Sequence, residues 1–127
     1  MIRFLEELYL TDNTKNKVDK LKVDIQNRAF LFSVSIIALS TSDSDVFDII
    51  PAINLKTRIE SYENLYIIGL AEDSTSAMQL CMDMTLEYLD LSLDIGMREY
   101  FKNKFTEPVD IFDNPGIDVG KGPDLVE

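Results

Sequence analysis

Residues 29–39, AFLFSVSIIAL, do most to limit what this chain can fold into. The run is aromatic and β-branched, and its second half is apolar at successive positions, which suits a central β-strand. It is too short to span a bilayer, and Ser33 and Ser35 interrupt it. A second strand is expected at residues 64–70, NLYIIGL.

Around these runs the chain has the makings of one domain. It has 127 residues, 46% of them apolar. At this size roughly two thirds of the unfolded surface is buried on folding, so a packed core needs no staples. Residues 1–112 are expected to form a single α+β domain. Residues 113–127, rich in Asp, Pro and Gly, are expected to be a mobile tail. One cysteine, Cys81, allows no internal disulfide. The N-terminus turns acidic at Glu6 and Glu7, unlike a secretory signal, so a cytoplasmic location is expected.

Periodicity suggests the remaining elements. Ile2, Leu5, Leu8 and Tyr9 recur at helical spacing and predict a short helix. Residues 20–26 alternate strictly, which predicts a half-buried strand, with Asn27-Arg28 as a two-residue turn. An amphipathic helix over residues 13–28, carrying Val18, Leu21 and Ile25, competes with it. Short side-chain oxygens at Ser42, Asp43 and Ser44 suit an N-cap, and Val46, Phe47, Ile49, Ile50 and Ile53 predict a short helix interrupted by Pro51. Glu72-Asp73-Ser74 caps the clearest helix, which runs to about Leu93. Its core-facing set is expected to be Ala77, Met78, Leu80, Cys81, Met84, Tyr88, Leu91 and Ile95. Residues 97–105 suit a short helix or strand.

The expected fold is a small two-layer α+β domain. Two or three strands form a mixed sheet packed by two main helices, in the order ββαβα or αβαβα. The segment Tyr66-Ile-Ile-Gly-Leu-Ala71, followed by Ala77 and Leu80-Cys81, resembles small uncharacterised proteins of gram-positive bacteria. The resemblance spans residues 9–101, includes the lysine-rich segment and the Ser42 to Asp48 cap, and implies no activity. It implies a hairpin over residues 18–39.

Charge narrows the function. Lys and Arg number 12 against 23 Asp and Glu, for a net charge of −11. A basic face for the phosphate backbone is not expected, so neither nucleic acid nor membrane is an expected partner. The absence of histidine removes Ser-His-Asp and Cys-His catalysis and His-ligated zinc. Residues 59–97 contain eight acids and no base, whereas residues 1–28 carry six bases and five acids.

Several groups invite a functional reading. Gly69 to Ser74 joins a strand to a helix as a dinucleotide turn does, but Glu72 and Asp73 stand where a pyrophosphate would lie. Gly116 to Gly122 lacks the spacing of a phosphate loop. Asp43, Asp45 and Asp48 could hold Mg²⁺ or Ca²⁺, although helix capping explains them as well. A small Mg- or Ca-dependent enzyme using Asp43/Asp48 or Glu60/Glu63 would need a cleft that separates the paired carboxylates' pKa values. Met78, Cys81, Met82 and Met84 suit core packing or an adaptable surface. Cys81 has no basic neighbour to activate it.

The acidic stripe Asp83, Glu87, Asp90 and Asp94 is the preferred partner-binding surface. Its acids repel one another with no Lys or Arg within the helix to offset them. It would dock on a basic surface, either another protein's or the Lys15, Lys17, Lys20, Lys22 and Arg28 side of its own or a second subunit. The expected function is therefore a non-enzymatic, self-associating interaction or accessory module without a cofactor. An acidic mimic of nucleic acid, acting as an inhibitor, is the alternative from another class.

Overall fold

The computed structural model describes residues 2–29, 31, 33–42, 45–57, 64–106 and 109. The expected mobile tail, residues 113–127, lies outside the described residues.

The elements are β1 (Ile2–Leu10), α1 (Asp12–Lys15), α2 (Val18–Gln26), β2 (Ser35–Leu39), β3 (Phe47–Pro51), α3 (Asn54–Thr57), β4 (Leu65–Ala71), α4 (Ser74–Asp90) and α5 (Met97–Lys102). The strands form one mixed sheet in the order β1-β4-β2-β3. β4 pairs parallel with β1 and antiparallel with β2, which pairs antiparallel with β3. The α+β class is as expected. The strand number is four, not two or three, and neither expected order matches.

β2 and β4 are the central strands, and every residue in both is buried. Their side chains alternate between the two faces, with the alternation in β4 reset at the register shift beside Gly69. Ile36, Ala38, Leu65 and Ile67 join a cluster with Leu21 and Ile25 of α2. Ile37, Leu39, Tyr66 and Ile68 join a second cluster with Ala77 and Met84 of α4 and Phe101 of α5. Strands apolar on both faces have to be covered on both, so helices lie on either side of the sheet and the layers number three.

Residues 18–26 are the helix α2, not a strand. Leu21 and Ile25, one helical turn apart, are buried together, while Val23 between them is 58% exposed. A strand would have put all three on one face. The expected turn at Asn27-Arg28 is the end of this helix. Arg28 has φ 53°, and the Arg28 and Ala29 amides donate to the carbonyls of Ile25 and Asp24, which is a Schellman cap. The implied hairpin over residues 18–39 is replaced by helix, loop and strand.

Residues 2–10 are a strand, not a helix. The three-residue spacing has another cause. Between the pairs Phe4↔Ile67 and Tyr9↔Gly69, β1 advances five residues while β4 advances two, so Leu5 to Leu8 bulge from the ladder. The bulge resets parity and leaves Leu5 buried while Glu6 and Glu7 are exposed. Gly69 makes the return to pairing possible, because a Cβ there would lie 3.0 Å from the Tyr9 carbonyl oxygen.

Residues 47–51 are the edge strand β3, not a helix. Ile49 and Ile50 pair with Ile37 and Ile36 across the hairpin. Pro51, which has no N–H to give a ladder, is tolerated at the end of an edge strand.

Candidate interaction surface

Helix α4 starts where the sequence places its cap. Asp73 accepts a hydrogen bond from the Ser76 amide at 2.7 Å. Beside it, the Glu72 carboxylate accepts from Thr11 Oγ1 (2.7 Å), Asn13 Nδ2 (3.1 Å) and Ser76 Oγ (3.0 Å). The Thr11 hydroxyl, then the local amide and the other donors, hold its pKa down to about 2. Glu72 thus ties the start of α1 to the start of α4, and the acids at this turn are committed to structure.

The helix has two unlike sides. Ala77 and Met84 are fully buried against the sheet, with Leu80, Cys81 and Tyr88 packed around them. Burial pushes the Cys81 thiol up to about 11, which leaves it unreactive at neutral pH. On the outward side Met78, Met82, Leu86 and Leu89 are 57–60% exposed. At 100° per residue these four occupy one stripe, and Gln79, Asp83 and Asp90 run along one edge of it. Leu91, Leu93 and Ile95, just beyond the helix, are also exposed. Large apolar surface left in water marks interaction sites more often than not when it is contiguous.

The sequence placed Met78, Leu91 and Ile95 on the core side, and it left out Leu86 and Leu89. The signal was present, since apolar residues at 78, 82, 86 and 89 recur every three or four positions as a second stripe. Of the four methionine and cysteine candidates, Met84 is core, Cys81 is half-buried, and Met78 and Met82 face out.

The acidic stripe divides. α4 ends at Asp90, and Ser92, at φ 50°, sends the chain away, so Asp94 lies in the following loop. Asp83 and Asp90 remain exposed on the helix, with Asp83 accepting from Gln79 Nε2 at 3.1 Å. Glu87 turns inward. Its Oε2 accepts from the hydroxyls of Tyr9 (2.7 Å) and Tyr100 (2.6 Å), and Lys104 Nζ stands 3.7 Å away. Desolvation alone would raise the Glu87 carboxyl, but the Tyr100 and Tyr9 hydroxyls and the Lys104 charge outweigh it and hold it below its ordinary value. Burial, then the bond to Glu87, raises Tyr9, and the bond to Glu87 raises Tyr100. A carboxylate kept ionised and two phenols kept protonated exchange no proton near neutrality, so the group serves as a lock between β1, α4 and α5. Glu87, Tyr9 and Lys104 line a cleft of about 500 Å³ with the bulged residues Leu5 to Leu8.

The basic candidates are partly engaged. Lys15 lies 3.5 Å from Asp12 and Lys20 2.8 Å from Asp24. Lys22 stands over the Phe4 ring at 5.8 Å, and Arg28 donates to the Leu55 carbonyl at 3.2 Å. Lys17 is exposed. α2 and α4 lie on opposite faces of the sheet, which sets Lys20 and Lys22 apart from the acidic stripe of the same chain.

Of the metal candidates, Asp48 lies on β3 and Asp45 in the loop before it. Asp43, Glu60, Glu63 and the Gly116 to Gly122 segment lie outside the described residues. Among the described residues no group of three or more potential ligands is gathered for a metal ion, and no helix is long and apolar enough to cross a membrane. No protein-family model matches the chain, and neither a curated protein nor a solved structure is significantly similar to it.

Proposed function

We propose that this protein is a non-enzymatic interaction module whose working surface is the outward side of α4, and that it docks another protein with an apolar, basic-edged face. The observation that carries the reading is the stripe of Met78, Met82, Leu86 and Leu89, exposed along the longest helix of the described residues and edged by Asp83 and Asp90. Folding does not account for these residues. Leu86 and Leu89 keep more than half of their surface in water, and Asp90 in the last turn sits at the negative end of the helix dipole, where an acid costs about 0.3–1 kcal/mol. Association would bury the apolar stripe and give the acids opposite charges. A second copy is the weaker occupant, because Asp12 and Asp24 already offset part of its lysine-rich side.

The test is photo-crosslinking in the cells that make the protein. A photoreactive residue at position 82 or 86 should give adducts concentrated in one protein species, whereas one at Lys20 should not. Equal, diffuse labelling from all three positions would refute the assignment.

A further inference from the structure

The outward face of α4 also specifies the form of its occupant, an inference that rests on the interaction reading above. We infer that it receives an amphipathic helix from another protein, laid lengthwise, with Lys or Arg along the edge that meets Asp83 and Asp90. Three observations lead there.

The first is shape. Met78, Met82, Leu86 and Leu89 climb about three turns of a regular helix, so the surface is a long, narrow ridge. Two helices bury such ridges by interlocking their side chains along nearly aligned axes. A strand laid on the same ridge would leave its own N–H and C=O groups unpaired against an apolar surface, whereas a helix satisfies its own.

The second is the edge. Asp83 and Asp90 are seven residues apart, two full turns, and so project in nearly the same direction. No Lys or Arg occurs between residues 59 and 97 to neutralise them. A matching helix would carry bases at the same seven-residue interval beside its apolar positions.

The third is what the other occupants would meet. The chain's own residues 110–127 carry five acids and one base, which repel this edge. Two copies of α4 packed antiparallel about a two-fold axis would bring Asp83 and Asp90 against their own duplicates. Opposite charge at the rim favours one partner orientation and rejects the like-charged one.

The probes are two short helical peptides with the same Leu and Met face, one with Lys and one with Glu at the edge positions, titrated into the full-length protein. The Lys peptide should bind about tenfold more tightly than the Glu peptide, and added salt should shrink the gap. In Asp83→Lys/Asp90→Lys the preference should reverse. Leu86→Gln/Leu89→Gln, which adds no charge to the end of the helix, should bind neither peptide while keeping the wild-type circular dichroism and a melting temperature close to wild type. Equal binding of both peptides, lost in the leucine variant, would overturn the charged helical partner and keep the interaction surface. No peptide binding, with a wild-type dimer that the leucine variant breaks, would overturn it in favour of a second copy. No peptide binding by a monomer would overturn both readings.

Discussion

Met84 and Met82 lie two residues apart in α4, with the same side chain, yet Met84 is fully buried and Met82 is 59% exposed. The inner side of the helix is explained by the fold. Met84 and Ala77 close one face of the sheet with Ile37, Tyr66, Ile68 and Phe101. The outer side is not, since Met78, Met82, Leu86 and Leu89 are more than half exposed and belong to neither core cluster. Two stripes of similar composition on one helix are therefore buried to very different degrees, and angle round the axis separates them where composition does not.

The comparison breaks first at the core. Phe101 is fully buried and meets Tyr9, Phe47 and Tyr100 edge-on. Phe101→Ala should lower stability by about 3–5 kcal/mol in urea titration, and Met84→Ala by about 2–5 kcal/mol. Met82→Ala should move the midpoint by no more than about 0.5 kcal/mol. Equal losses at 82 and 84 would erase the distinction.

A smaller effect tests the bulged strand that frames the inner side. Gly69→Ala forces a Cβ to 3.0 Å from the backbone oxygen of Tyr9, which has little room to shift. The expected loss is about 1–3 kcal/mol by the same titration, with Tyr9 no longer held against Glu87. An unchanged midpoint would mean that β1 relaxes freely at its bulge.

The acid side sharpens the division among the carboxylates. Glu72 has a folded pKa of about 2 against an ordinary 4.5, so its ionised form is favoured by folding. That stability is fully present above pH 4.5 and is lost as pH falls toward about 2. Glu87, also held below its ordinary value, adds to the loss in the same direction. Glu72→Gln should flatten melting temperature against pH across this window. An unchanged profile would remove Glu72 from the carboxylates that folding holds ionised.

The smallest effect expected is a gain. Asp90→Asn removes a charge from the negative end of α4 and should raise stability by a few tenths of a kcal/mol.

The central strands and α4 were legible because each is over-determined. Residues 36–39 and 65–71 are apolar on both faces, and Asp73 caps a long periodic helix. β1, α2 and β3 were not. Lys20 to Gln26 fits a two-residue period as well as a helical one, and only the burial of Leu21 and Ile25 without Val23 decides it. The spacing of Ile2, Leu5 and Leu8 imitates a helix because a bulge changes strand parity, which depends on Gly69, sixty residues away. Phe47 to Pro51 is a strand because β2 offers it a partner, a tertiary fact that local propensity does not hold. The acidic stripe was legible as spacing. That Glu87 turns inward depends on Tyr9 and Tyr100, distant in sequence, and so was not.

The most direct measurement joins both sides of α4. Leu86→Lys/Leu89→Lys is to be made in a protein carrying a photoreactive residue at position 82, and its urea midpoint and its crosslinked adducts in cells recorded together. An unchanged midpoint with the adducts gone is the result that the proposed role of these leucines in association predicts. A midpoint that falls as far as in Met84→Ala, or adducts that persist, would contradict it.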